Sequence, residues 1–218
     1  MKEWLDSAPP ALYAAEQTES PRLLQILEYL RRKMTMKEIQ MLKDGNRKYL
    51  QAKREIGDIS QAIREDTCRN GQHPYALIVT CSDARVIPEA IFQAGIGDLF
   101  IIRVAGNVID NHQLGSIEYA ALHLGVNLIV VMGHTHCGAV DAAINHAPEG
   151  YIRFITEEIR AAIGDETDPY KASCLNVRRS IDLIESSIVI QLDEEEEGLR
   201  VIGAMYDIET GEVTFMDE

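Results

Sequence analysis

Long apolar segments are missing from this 218-residue sequence, and basic residues are scarce. No stretch approaches the roughly 20 apolar residues needed to cross a bilayer, so the sequence does not predict a membrane protein. There are 21 Lys and Arg residues against 35 Asp and Glu residues, which gives a formal net charge of −14. Such a chain repels a phosphate backbone on average, and we therefore expect no membrane and no nucleic-acid partner.

Cysteine is also sparse, with four residues in the chain. The N-terminus has charged residues and prolines where a secretory signal would need an apolar stretch, which favours a cytoplasmic location. In a reducing compartment, cysteines are more often metal ligands or free thiols than disulfides. Cys68 and Cys174 lie outside any motif, and we interpret them as structural or incidental.

The sequence predicts an α/β fold with a mostly parallel β-sheet of four strands plus an antiparallel edge strand, flanked by helices. From residue 75 onward, strand-like and helix-like segments alternate, which is typical of right-handed βαβ crossovers. The predicted strands are 75–80, 99–104, 127–132 and 199–206, with a last antiparallel strand over 212–216. The predicted helices are 88–94, 114–124, 138–146, 151–163 and 170–187.

Residues 1–19 are polar and are predicted to be irregular, whereas the segment from residue 20 to residue 53 is predicted to be mainly helical. A cap followed by proline indicates one helix over 20–34, and the capping-box spacing of the T-M-K-E segment at 35–38 indicates a second over 36–53. We divide the chain into an N-terminal extension or helical arm, 1–35, and a single α/β domain, 36–218. The helical pair fits an arm around a partner subunit and helices packed on their own domain equally well.

Three potential metal ligands follow two of the predicted strands. Cys81 follows the strand at 75–80, whereas His134 and Cys137 follow the strand at 127–132. The carboxyl ends of parallel strands meet at one edge of the sheet, so we expect these side chains to converge. Thiolate and imidazole are good zinc ligands, and three protein ligands leave a fourth position for water, as in catalytic sites. The alternative is a pair of buried thiols with a core histidine.

Asp83 and Arg85 lie immediately after Cys81. The planar arginine fork fixes a carboxylate in one orientation, and an ionised Asp83 could accept a hydrogen bond from a zinc-bound hydroxide. The alternative is a surface ion pair of little energetic value. Because the pair adjoins a predicted ligand, we favour the functional role. His136 lies between two ligands, and we expect it to face solvent or to be hydrogen-bonded elsewhere.

Together these motifs resemble those of the β-class carbonic anhydrases. That family carries Cys-x-Asp-(Ser/Ala)-Arg, then Arg-x-x-x-Asn, then His-x-x-Cys-Gly. The middle element is similar to residues 103–107 of this chain, and the turn at 206–211 also resembles that of family members. The resemblance covers roughly residues 36–216.

The resemblance extends to residues of a substrate pocket. It implies that Gln72 hydrogen-bonds CO2 or bicarbonate, that Phe100 and Tyr119 shape the pocket, and that Gly138 offers a backbone N–H to a substrate oxygen. Members of this family pair as dimers with a shared pocket, so Gln72 and Tyr119 are expected to face the zinc of a neighbouring subunit. A homodimer or a larger homo-oligomer such as a tetramer is therefore implied.

The activity implied by the resemblance is the reversible hydration of CO2 to bicarbonate and a proton by a zinc-bound hydroxide, with one Zn²⁺ per chain. Asp83 and Arg85 would be the catalytic pair. The nearest alternative is a hydrolase of carbon disulfide or carbonyl sulfide on the same scaffold. A second alternative is a non-catalytic zinc or redox-sensing protein in which Cys81 and Cys137 act as switch thiols.

Overall fold

The computed structural model describes residues 21–51, 57–147 and 149–216. Within these ranges the chain forms eight α-helices, five β-strands and a short 3₁₀ turn. In chain order these are α1 (Pro21–Leu50), α2 (Gln61–Asn70), β1 (Ala76–Thr80), α3 (Pro88–Ile91), β2 (Leu99–Arg103), the 3₁₀ turn (Ala105–Asn107), α4 (Asn111–Leu124), β3 (Leu128–His134), α5 (Gly138–Asn145), α6 (Ile152–Ile163), α7 (Pro169–Glu185), α8 (Ile188–Glu196), β4 (Arg200–Tyr206) and β5 (Val213–Met216).

The five strands form one sheet in the order β2-β1-β3-β4-β5. The first four strands are parallel, and β5 pairs antiparallel with β4 at the edge. This confirms the predicted fold class and all five predicted strands. Every residue of β1 and β3 is buried, as expected for central strands that are covered by helices on both faces.

Alternate strand residues supply two separate cores, one on each face of the sheet. Leu77 and Val79 face the core that includes Ile117 of α4, Val177 of α7 and Ile190 of α8. The opposite face carries Ile78, Val130 and Met132, which pack with Ile39 and Leu42 of α1 and Ile91 of α3. Apolar burial on both faces fixes the register of the strands, because a slip of one residue would exchange the two faces.

The N-terminal region differs from the prediction of two helices. Over residues 21–50 the structure has a single helix, α1, in place of the two helices predicted at 20–34 and 36–53, so the predicted break between them is wrong. Thr35, the predicted cap, is buried inside this helix, and the turns that follow it pack Ile39 and Leu42 onto the chain's own sheet. The helix continues through residue 35 without a break. The division of the chain into an arm, 1–35, and a domain, 36–218, stays a prediction. Residues 1–20 of the predicted arm lie outside the described residues.

Helix α2 was not predicted, because none of its ten residues is buried and an apolar stripe is therefore missing.

Across the described ranges, none of the helices combines the length and the apolar character that spanning a membrane requires.

Candidate metal centre

Cys81, His134 and Cys137 converge at the carboxyl edge of the sheet. Cys81 directly follows β1, His134 is the last residue of β3, and Cys137 precedes the first residue of α5. Thr80 pairs with Met132 across the two strands, so the ends of β1 and β3 lie side by side. The Sγ atoms and a ring nitrogen lie within 4.8 Å of one another, and all three residues are buried. The predicted convergence is confirmed.

The imidazole of His134 is oriented as a metal ligand. Its Nδ1 lies 2.8 Å from the carbonyl oxygen of Thr135, which requires Nδ1 to carry the proton and leaves a lone pair on Nε2. Nε2 is buried and has no hydrogen-bond partner among the residues described. A buried acceptor without a partner is costly, whereas a cation bound at Nε2 would satisfy it. The donor set and this unshared lone pair both fit a metal ion.

The Thr135 peptide is held by the turn that follows β4. Its N–H donates to the carbonyl of Tyr206 at 3.0 Å, and its hydroxyl accepts from the N–H of Ile208 at 3.0 Å. These bonds fix the carbonyl that receives the His134 ring proton. Such outer contacts set the tautomer and direction of a ligating histidine. Residues 206–211 therefore support the ligand, a role that the sequence analysis did not assign to them.

The two cysteine side chains interact directly. Interaction with Cys137 lowers the pKa of the Cys81 thiol below its usual range. The same interaction, together with burial, raises the pKa of the Cys137 thiol above its usual range. Two sulfur donors this close together are a favourable arrangement for a soft or borderline cation.

Asp83 and Arg85 form the predicted pair beside these ligands. Arg85 Nε lies 2.9 Å from Asp83 Oδ1, and Nη2 lies 2.7 Å from Oδ2, so the interaction is bidentate. The side chain of Asp83 is 17% exposed, against 53% for Arg85. The bonds from Arg85 hold the pKa of the Asp83 carboxyl well below its usual range. Asp83 is therefore an ionised acceptor with a fixed orientation, more ordered than a simple surface ion pair.

Arg103, at the end of β2, is a further residue of the site. Its Nε donates to the carbonyl of Cys81 at 3.1 Å, and its Nη2 donates to the carbonyl of Asp83 at 2.7 Å. These bonds fix the backbone that carries the first ligand, Cys81, and the backbone of Asp83. Sequence reasoning included Arg103 in a motif without giving it a role. The signal in the sequence that could have indicated this role was the position of Arg103 at the end of a predicted strand.

Of the four predicted pocket residues, only Gly138 lies beside the ligands of its own chain, as the first residue of α5 after Cys137. Gln72 precedes β1 while Cys81 follows it, so a strand of roughly 16 Å separates them. Phe100 pairs with Leu77 near the start of β1, and its ring centroid lies 6.3 Å from that of Tyr119. The structure therefore groups Phe100 with Tyr119 at a distance from the metal ligands. His136 is exposed, as expected.

The chain is similar in sequence to known carbonic anhydrases. A family model described as carbonic anhydrase matches residues 76–213. The chain is 42% identical to a carbonic anhydrase of Mycolicibacterium smegmatis over 127 residues, which is 56% of this chain and 61% of the relative. It is 34% identical to a carbonic anhydrase of Pseudomonas aeruginosa over 170 residues, 67% of this chain and 74% of the relative. The matched part thus spans less than two thirds of the mycobacterial relative's length.

Solved structures give the same result for the fold. The β-carbonic anhydrase CafA of Aspergillus fumigatus matches with a TM-score of 0.65 and 29% identity, over 72% of this chain and 83% of that one. A structure from Sordaria macrospora, reported among two tetrameric β-carbonic anhydrases, matches with a TM-score of 0.64 and 25% identity, over 72% and 92% of the two chains. The matched segment contains the three ligands together with Asp83 and Arg85. The chain belongs to the β-carbonic anhydrase family.

Proposed function

We propose that this chain catalyses the reversible hydration of CO2 to bicarbonate and a proton at a zinc site formed by Cys81, His134 and Cys137. The observation that carries this proposal is the buried three-ligand cluster with an oriented, ionised carboxylate beside it. A structural zinc site is closed by four protein ligands, whereas three ligands are typical of catalytic zinc. Within the described residues, the group of potential ligands contains three members.

Zinc is the metal that β-carbonic anhydrases use, and the Cys-His-Cys group of this chain fits it. Two sulfur ligands and one imidazole suit a borderline-soft cation better than magnesium or calcium, which prefer oxygen. When bound, zinc supplies Lewis acidity that makes a coordinated water acidic near neutral pH. The remaining contributions come from residues of this chain.

Asp83 orients the attacking water in this proposal. An ionised carboxylate can only accept hydrogen bonds, so Asp83 accepts the O–H of that water and directs its lone pair toward the carbon of CO2. The bidentate contact with Arg85 and the backbone contacts from Arg103 hold the carboxylate in place. Fixed orientation of this kind lowers the entropy cost of the reaction.

The N–H of Gly138 is proposed to bind an oxygen of the substrate. Gly138 is the first residue of α5, and N–H groups in the first turn of a helix have no partner within the helix. A β-carbon added at Gly138 would meet no atom within 4 Å, so there is open space beside this backbone. The space and the N–H together support a role in holding CO2 or bicarbonate.

We further propose that the active unit is a homodimer or a larger homo-oligomer such as a tetramer. Gln72 and Tyr119 are exposed, and β2 is an edge strand whose apolar residues Leu99 and Phe100 are only half-buried. If a second subunit covers this edge, Gln72, Phe100 and Tyr119 of one subunit would lie beside the zinc site of the other. Dilution to monomers should then abolish activity, whereas fully active monomers would refute a shared pocket.

The four cysteines are free thiols, which is typical of proteins in a reducing compartment and supports a cytoplasmic location.

The proximity of Cys81 and Cys137 also supports a second candidate function, which is redox sensing. In that case, mild peroxide would join Cys81 and Cys137 in a disulfide and release the metal. The oriented Asp83 favours the hydration of CO2, because a sensor has no use for an aligned water.

Substrate comparison tests the proposal. Zinc-loaded protein is assayed by stopped flow for hydration of CO2 from about pH 6.5 to about pH 9, and separately for hydrolysis of carbonyl sulfide and carbon disulfide. We expect rapid CO2 hydration whose rate rises with pH. In Asp83→Asn the rate should fall at least about 100-fold. Hydrolysis of the sulfur compounds without CO2 hydration would instead assign the alternative activity.

A further inference from the structure

The 3₁₀ turn at Ala105–Asn107 connects β2 to α4 and touches the first metal ligand. The N–H of Gly106 donates to Sγ of Cys81 at 3.2 Å. An N–H directed at a ligating sulfur reduces the charge that the sulfur presents to the metal and fixes its lone pairs, so the position of this turn bears on the zinc site.

The conformation of the turn is unfavourable in itself. Gly106 has φ +71° and Asn107 has φ +46°, both in the left-handed region that residues with side chains rarely adopt. Asn107 is buried, and its Nδ2 has no hydrogen-bond partner within the described chain. A turn with these costs persists only where surrounding structure holds it.

Helix α7 supplies the contacts that hold the turn. Asn176 Nδ2 donates to the carbonyl of Gly106 at 2.7 Å, and Ser180 Oγ donates to the carbonyl of Asn107 at 2.9 Å. Asn176 and Ser180 are both 2% exposed. They are four residues apart, so both project from the same face of the helix.

The helix is itself anchored to the strand that carries the second ligand. Val177 packs against Gly133, the residue before His134, so closely that a β-carbon on Gly133 would lie 2.7 Å from Val177 Cγ2. The position of α7 is therefore fixed relative to His134. Because Asn176 and Ser180 of α7 bond to the turn, the position of the turn at Gly106 is fixed as well.

We propose that Asn176 and Ser180 are positioning residues of the zinc site, which hold the Gly106 N–H against the sulfur of Cys81. This inference rests on the zinc site described under the proposed function, but it does not depend on which substrate that site uses. The hydrogen bonds of both side chains go to backbone carbonyls and not to ligand atoms. Their effect passes through two backbone carbonyls to the single hydrogen bond on the sulfur.

Helix α7 offers a matched control for this proposal. Ser173 is also buried, at 4% exposed, and its hydroxyl donates to the carbonyl of Pro169 in its own helix. Ser173→Ala removes a buried hydroxyl from the same helix without altering the turn. A general loss of helix stability would affect Ser173→Ala and Ser180→Ala alike, whereas a positioning role separates them.

The experiment compares full-length wild type, Asn176→Ala, Ser180→Ala and Ser173→Ala. Zinc affinity is measured by competition with a chelator, and the thiolate-to-metal absorption band is recorded after Co²⁺ replaces zinc. Thermal unfolding of the metal-free proteins reports on folding separately. We expect Asn176→Ala to weaken zinc binding by about 10- to 100-fold and to shift the Co²⁺ band. Ser180→Ala should do so to a smaller extent, and Ser173→Ala should change neither.

Unchanged affinity and an unchanged Co²⁺ band in Asn176→Ala would overturn the proposal, as would equal shifts in Ser173→Ala. If Asn176→Ala does not fold, the comparison of Ser180→Ala with Ser173→Ala decides the question by the same two readouts. Wild-type protein that binds zinc tightly but does not hydrate CO2 would contradict the proposed function alone, because affinity and spectrum are measured without substrate.

Discussion

Arg85 joins the two halves of the metal site, since its Nη2 lies 3.1 Å from the carbonyl oxygen of His136 as well as contacting Asp83. His136 lies between the ligands His134 and Cys137, has φ +57°, and its carbonyl accepts the hydrogen bond from the guanidinium. One planar fork therefore fixes both the carboxylate and the loop that carries two ligands. Lysine has the same charge but cannot reproduce this geometry.

Arg85→Lys tests whether the geometry or the charge matters. We expect a loss of about 10- to 100-fold in kcat/KM for CO2, because Asp83 loses its bidentate partner while a positive charge remains. Stopped-flow assays at fixed zinc content give the result. Arg47→Lys is the control, because Arg47 forms an exposed ion pair with Asp44 on α1. Retention of full activity in Arg85→Lys would assign only an electrostatic role to the guanidinium.

Mixed dimers test whether the pocket is shared between subunits. Asp83→Asn inactivates the zinc site of its own chain, whereas Gln72→Ala would damage the site of the neighbouring chain. In a dimer of one chain of each kind, one site then has two defects and the other has none. We expect mixed dimers, isolated with two affinity tags, to recover about half of the wild-type activity.

The alternative gives a different result in the same experiment. If Gln72 served its own chain, both sites of the mixed dimer would carry one defect and no activity would return. The two parent homodimers, each inactive or nearly so, provide the baseline.

Glu38 on α1 predicts a pH dependence of stability. Burial raises the pKa of its carboxyl to about 7, although Lys37 opposes the shift. Oε2 is buried without a hydrogen-bond partner among the residues described. The unfolded chain has a value near 4.5, so above pH 7 both states are ionised and the folded state bears the full cost of the buried charge. As the pH falls from 7 to 4.5, the folded state takes up a proton first and this cost disappears.

Glu38→Gln removes the ionisable group, so we expect it to raise the free energy of unfolding at pH 8 by about 1–2 kcal/mol. The difference from wild type should shrink as the pH falls through 7 and be mostly gone near 4.5. Urea unfolding at several pH values measures it. Glu157→Gln, at an exposed position on α6, serves as the control. A difference that does not vary with pH would contradict the account.

Two glycine substitutions have opposite expected effects. A β-carbon at Gly106 would lie 2.8 Å from Ile159 Cδ1, on a backbone with φ +71°, so we expect Gly106→Ala to destabilise the protein by about 1–3 kcal/mol. Gly115 lies within α4, where an added β-carbon meets nothing within 4 Å. Gly115→Ala should therefore stabilise the monomer by about 0.5–1 kcal/mol. Urea unfolding compares the two, and destabilisation by both would contradict the reading of these positions.

The strands and the metal ligands could be predicted because their signals are local. The runs at 76–80 and 128–134 are apolar enough to be central strands, and the ligands lie directly at their ends. The carboxyl ends of parallel strands lie at the same edge of a sheet, so the convergence of the ligands could be expected from the predicted topology.

Two of the features that the sequence did not reveal depend on distant contacts. The capping-box pattern at 35–38 was overruled because continuing the helix packs Ile39 and Leu42 onto the sheet. Asn176 lies 70 residues from the carbonyl that it contacts, and nothing in its local sequence indicates that bond.

A zinc titration tests the central claim most directly. Zinc is added in steps to protein stripped of metal by a chelator, and bound zinc and CO2 hydration are measured at each step. We predict that the hydration rate rises in proportion to bound zinc and stops rising at one zinc per chain, and that Cys137→Ser greatly weakens binding. Hydration in the absence of bound zinc, or one tightly bound zinc per chain with no hydration, would contradict the account.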